Sequence, residues 1–191
     1  MAPWQPVLDF WFLPPEDPQH GTSRPEWWRK DQAFDAAIHA QFGPLIERAV
    51  AGGLTEWDRD THGALARIVV LDQFTRNTFR DTPRAFSGDR LAQAAALAMI
   101  ESGRDRLLNP VERWFVYMPL QHAENLELQE RAVGLFSALS KDPEFEGTLD
   151  YAVRHRDIIA RFRRFPHRNR ILGRISTPEE VDFLKEPGSS F

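Results

Sequence analysis

The sequence predicts an all-α protein. Three observations carry this: apolar residues recur at helical spacing along most of the 191 residues, start and stop signals bracket each periodic run, and no stretch alternates as a half-buried strand must. Successive helices joined by short loops point to antiparallel hairpins stacked into a bundle or short solenoid, in a single domain spanning residues 1–191. Hydrophobic residues make up 42% of the chain, enough to bury a core.

The elements follow in order. Val7 to Phe12 reads as a short apolar helix stopped by Pro14 and Pro15. A second helix spans about Asp31 to Ala51, with Phe34, Ile38 and Phe42 four apart; Pro44 can kink it, and Gly52 and Gly53 end it. A third starts near Thr61 and carries Leu65, Ile68, Val69 and Leu71 towards Phe79. A fourth, capped by Ser87 or Asp89, presents Leu91, Ala95 and Met99 before Gly103.

"NPVE" from Asn109 combines a capping residue, a proline at the first helical position and a glutamate able to reach back. Pro119 kinks or breaks that helix, and another continues to about Leu139. The last long helix covers about Thr148 to Arg164; "TPEE" from Thr177 opens a short one, and a tail from about 186 to 191 frays. The tetratricopeptide signature is absent at its fixed period.

Several polar residues fall on apolar faces. Asp72 follows Ile68 and Val69 at i+4 and i+3, and Arg76 shares its face, so a buried pair is expected. If the helix after Pro119 is continuous, His122, Asn125 and Gln129 join Leu126, Ala132, Val133, Phe136 and Leu139, with Glu124 at the edge. On the last long helix His155 lies near the centre of a face made by Tyr151, Ile158, Ile159 and Phe162. Singly, each is best read as a satisfied core group. Together, Asp72, His122 and His155 would line a polar pocket if they converge.

"RFRRFPHRN", Arg161 to Asn169, gathers four arginines in a chain of net charge -4. Cations suit a helix C-terminus, and the 28 acidic side chains exceed the 24 basic ones, so an internal charge clamp is one reading. The other is anion recognition by Arg164, His167, Arg168 and Asn169. A related stretch, "DQFTRNTFRD", places Arg76 and Asn77 after Phe74. Nucleic acid is disfavoured, because no wider basic field accompanies these residues.

There are no cysteines, which excludes disulfides, thiol nucleophiles and cysteine-ligated zinc. The first residues lack a basic n-region and a cleavage site, and the longest apolar run, "AAALAMI", is far short of a membrane span. A cytoplasmic protein is expected, with no membrane partner. No cofactor or metal is indicated: His122 and Glu124, two apart, would diverge on a helix.

At "VLDFWF", "LDQFTRNTFR", "YMPLQHAE" and "RFRRFPHRNRILGR" the chain resembles a bacterial family of uncharacterised proteins, family nine-hundred-and-twenty-four of the domains of unknown function. The resemblance implies one tetratricopeptide-like helical domain of bacterial, cytosolic origin and no established activity. Two positions depart from its pattern, Thr75 where proline is usual and Arg163 where glycine is usual.

Three functional readings follow. The first is a binding domain in which Asp72, Arg76, Asn77, His122, Glu124, Asn125, His155, Arg164, His167, Arg168 and Asn169 line a pocket for a small anionic ligand or an acidic peptide. The second is a hydrolase or transferase using His122 or His155 with Asp72, although no G-x-S-x-G, H-E-x-x-H, P-loop or dinucleotide motif is present. The third is a purely structural interaction scaffold with no pocket; exposed tryptophans, Trp27, Trp28 or Trp57, are candidate peptide anchors for the first reading.

Overall fold

The computed structural model describes residues 2–191, and every regular element among them is helical. The chain divides into two compact units, one running to Arg80 and including Arg84–Pro119, the other made of Asp81–Pro83 and Leu120–Phe191.

The first unit contains α1 (Gln5–Phe12), α2 (Gln32–Val50), α3 (Thr61–Val69), α4 (Thr75–Thr78), α5 (Asp89–Glu101) and most of α6 (Pro110–Gln121). Side-chain caps set several starts. Asp31 accepts from the N–H groups of Ala33 and Phe34 at α2, and Asp60 from those of His62 and Gly63 at α3. Each such cap contributes about 1 kcal/mol. The box expected at α6 is present: Asn109 Oδ1 accepts from Glu112 N (2.9 Å), and Glu112 Oε2 from Asn109 N (3.0 Å). At α5 the expected cap is replaced. Ser87 Oγ donates to Arg84 O and Asp89 binds an arginine, so Gly88 occupies the cap position without a side-chain bond.

Between α3 and α4 the helix widens into a π turn, Val70–Phe74. Gly88 lies against it so closely that a Cβ there would stand 2.1 Å from Leu71 O. The core is aromatic: Trp11 meets Trp27, Phe74 and Phe115 at ring separations of 5.7, 5.6 and 5.5 Å. Ile38 and Ile46 of α2 and Leu65 and Ile68 of α3 are fully buried. Alpha-helix 2 passes through Pro44 without ending.

The second unit contains α7 (Leu126–Leu139), α8 (Thr148–Phe162) and α9 (Pro178–Phe183). Helices α7 and α8 pack on each other, burying Ala132, Phe136 and Leu139 of one and Ala152, Ile158 and Ile159 of the other. Ile158, Ile159 and Phe165 form a small core that Leu126, Phe162 and Phe183 cover. Residues 122–125 lie outside helix, which corrects the continuous arc drawn through His122 and Asn125. Asn125 is instead the cap of α7, accepting from Leu128 N at 3.1 Å. Gln129 is fully buried as expected and donates to the carbonyls of Gln121 and Ala123 (both 2.7 Å). Tyr151, assigned to the buried face of α8, is 55% exposed. The tail turns back on the unit, with Ser189 buried. No helix among the described residues is long and apolar enough to cross a membrane.

Candidate functional site

The residues singled out from sequence fall into a group in each unit. In the first unit the expected Asp72–Arg76 pair forms. Asp72 is fully buried; its carboxylate lies 3.1 Å from Arg76 Nη1 and accepts from Gln73 Nε2 at 2.5 Å. Arg76 also donates to Asp72 O (2.7 Å) and grips both oxygens of Asp89 (2.8 and 3.2 Å). Burial alone would lower the Arg76 guanidinium, but Asp72 and Asp89 outweigh it and hold it above its ordinary pKa. Asn77 donates to Asp35 (2.7 Å), whose oxygens also receive Arg80 at 2.9 and 3.0 Å. These groups answer one another, and the network holds the π turn against α5 and α2.

Most of the arginine-rich stretch in the second unit is likewise matched by internal carboxylates. Arg161 pairs with Glu179 (2.9 Å), and Arg164 makes a fork to Glu180 (2.6 and 2.7 Å). Glu180 also forms the α9 capping box with Thr177 and accepts from Asn169 (3.2 Å). The Arg164 hydrogen bond, opposed by burial and helped by the Thr177 N–H, pulls the Glu180 carboxyl down to about 2. Arg174, which sequence reasoning passed over, grips Glu124 at 2.6 and 2.9 Å and donates to Asn169 Oδ1 (2.9 Å). Glu124 Oε1 further accepts from Phe165 N (2.8 Å). Burial raises the Glu124 carboxyl, yet Arg174 and the Phe165 N–H bring it below its ordinary value.

What this clamp positions is a cluster of imidazoles around Phe165. His155, 4% exposed on α8, lies edge-on to Phe165 at 5.6 Å, and His167 is 5.6 Å from the same ring. His122 stands 6.4 Å from His155, and the buried Arg168 guanidinium lies 4.4 Å over Phe165. His155 Nδ1 donates to Tyr151 O (2.7 Å); a carbonyl only accepts, so the proton is on Nδ1 and Nε2 carries the lone pair. His167 Nδ1 is buried with no hydrogen-bond partner among the described residues. Burial first, then the nearby His122, depresses His155 to about 3; burial and Arg168 depress His167 to about 4. Both rings are neutral at neutral pH in surroundings that disfavour added positive charge.

A family profile described as "Bacterial protein of unknown function (DUF924)" matches residues 7–188. The chain belongs to this family. A solved structure, that of a protein of unknown function (ATU0120) from Agrobacterium tumefaciens, is similar to this chain, at 37% identity and a TM-score of 0.82. The match covers 95% of this chain and 96% of that one. No curated protein matches the chain.

Arg163 and Thr75 have local structural roles. Arg163 ends α8 with φ 61°, the left-handed conformation that favours glycine at a helix C-terminus, so the constraint there is one of backbone conformation. Thr75 Oγ donates to Leu71 O (2.8 Å), a bond proline would not make.

Other polar groups are committed to the fold. A recess of about 160 Å³ in the first unit is lined by Trp4, Asp9, His20, His62 and Glu112 among others. Asp9 accepts from Gln5, His20 bonds Leu13 O, and Glu112 caps α6. Among the described residues no group of three or more His, Asp or Glu is arranged to hold a metal. Of the tryptophans proposed as exposed anchors, Trp57 is buried, Trp27 half-buried, and Trp28 48% exposed while stacked on Trp114 at 4.7 Å.

Proposed function

We propose that this protein is a binding domain whose second unit takes a small anionic ligand or an acidic peptide end at His122, His155, His167 and Arg168. One observation carries the reading: two imidazoles, of His155 and His167, and the Arg168 guanidinium gather around the single ring of Phe165, and a third imidazole, of His122, stands 6.4 Å from His155. A nearby anion would offset the burial that depresses His155 and His167, and the Arg168 guanidinium and the imidazole N–H groups of His122 and His167 are suited to bind it. Arg164, Asn169, Glu124 and Arg174 serve this site by bracing the loop that presents it.

The catalytic alternative has less support. His155 spends its N–H on a backbone carbonyl rather than on an orienting carboxylate, and the Asp72 carboxylate is engaged by Arg76 and Gln73. A basicity near 3 also makes His155 a poor proton acceptor at neutral pH.

The test is a thermal-melt titration with inorganic phosphate, acetate and succinate. An anion at 100 times its dissociation constant adds about 2.7 kcal/mol of stability, easily read as a rise in melting temperature. The rise should be saturable and lost in Arg168→Gln and His122→Gln, the second covering the case in which the buried arginine is needed to fold. No rise with any anion would overturn the reading.

A further inference from the structure

The tail carries an aromatic ring into the imidazole cluster. Gly188, with φ 76°, turns the chain beside Arg154; Ser189 is buried, and its hydroxyl donates to Leu184 O at 3.2 Å. Beyond this turn the Phe191 ring stacks face to face on His155, with centroids 3.7 Å apart and planes at 22°. It also meets His167 edge-on at 6.0 Å and 75°. His155 is thus held between two rings, the edge contact of Phe165 and the face of Phe191.

The two rings differ in kind. Phe165 is fully buried in the core of the unit, and its backbone N–H and C=O are held by Glu124 and Arg174. Phe191 is 47% exposed, and stacking on His155 is its closest ring contact. With nearly half its surface exposed, this ring has the face of His155 and the edge of His167 as its ring contacts. A face-to-face partner for a buried imidazole is an aromatic slot, and groups that favour negative charge stand beside it.

We infer that the slot over His155 is a ring-binding subsite, and that the site takes an aromatic ring bearing an anionic group, whose ring displaces that of Phe191. This rests on the anion-binding reading and narrows it. The floor of the slot is His155 and one wall is His167, while Arg168 and His122 face the anionic substituent. In the ligand-free protein Phe191 fills the slot and competes with the ring of the ligand but not with a bare anion. The side chain is a self-occupant, and binding is weakened by the free energy of its own stack.

The experiment is calorimetric titration of the whole chain and of Phe191→Ala with phenyl phosphate and with inorganic phosphate, after circular dichroism has shown that the variant is folded. Phenyl phosphate should bind Phe191→Ala roughly three- to ten-fold tighter than the parent, the range that one aromatic stack commands. Inorganic phosphate should bind both proteins alike. Phe191→Leu, which keeps apolar cover without a stacking face, should show a smaller gain and serves if the alanine variant is unfolded.

If both ligands bind but Phe191→Ala changes neither affinity, the ring subsite is overturned while the anion site stands. A loss of phenyl phosphate affinity in Phe191→Ala would show that the ring is part of the binding surface, and would overturn displacement. If neither ligand binds either protein, the anion reading fails and takes this inference with it.

Discussion

Arg174 holds both carboxylate oxygens of Glu124, at 2.6 and 2.9 Å, across fifty residues of sequence. The same guanidinium reaches Asn169 and the carbonyl of Phe165, so one side chain ties two points of the loop that carries His167 and Arg168 to Glu124. Removing it leaves a partly buried carboxylate and an amide oxygen short of a donor. Arg174→Ala should therefore lose about 1–3 kcal/mol in urea unfolding, and Arg174→Lys, with charge but no fork, should recover less than half. A loss too small to measure would show that the clamp is ornamental.

Acid should unfold the second unit in two overlapping stages. His155 and His167 fall from an ordinary 6.5 to about 3 and about 4 in the folded chain, so between those values the unfolded chain binds more protons. Their stabilisation is complete above pH 6.5 and is lost as pH falls towards 4 and 3. Glu180 falls from 4.5 to about 2, so its contribution is present above pH 4.5 and is lost on the way to 2. Melting temperature against pH should decline through both windows. His155→Asn, whose amide can still reach Tyr151 O, should flatten the upper part, and Glu180→Gln the lower. An unchanged slope in either variant would assign the loss elsewhere.

Two glycines make a paired test. A Cβ on Gly88 would meet Leu71 O at 2.1 Å and Leu71 C at 2.9 Å, backbone atoms that cannot swing aside. Gly88→Ala should cost about 3 kcal/mol or more. Gly134, within α7, has nothing within 4 Å of the same probe position, so Gly134→Ala should stabilise by about 0.5–1 kcal/mol through helix propensity. Equal responses at both positions would contradict the close approach of Gly88 to the π turn.

At Arg163 the usual logic of losing a charge is reversed. With φ 61° and an exposed side chain, the arginine occupies a conformation that disfavours a Cβ. Arg163→Gly should stabilise by about 0.5–1 kcal/mol, visible as a higher urea midpoint, with inorganic phosphate affinity unchanged. A drop in phosphate affinity would bring Arg163 into the site.

Local signals were legible and distant ones were not. The boxes at Asn109–Glu112 and Thr177–Glu180 involve groups three residues apart, and the structure forms both. His155 was found by helical phase because α8 is continuous through it. His122 and Asn125 are reached only by extending the helical phase of α7 back across residues 122–125, which lie outside helix between α6 and α7. Arg164 and Asn169 were visible as polar residues, but their partner Glu180 was read only as a cap, since nothing local marks a carboxylate that serves two purposes. The tail's composition suits fraying; the stack of Phe191 on His155 arises from tertiary packing alone.

The π turn at Val70–Phe74 puts one surplus residue into what would otherwise be a single helix. Everything after it is rotated by about 100° relative to an uninterrupted helix. It is this offset that brings Asn77 and Arg80 round to Asp35 while Arg76 reaches Asp89. Chain length, not the chemistry of any side chain, decides which residues answer those two carboxylates. Deleting Val70 or Leu71 would remove no ionic group, yet it would turn Arg76, Asn77 and Arg80 away from Asp89 and Asp35.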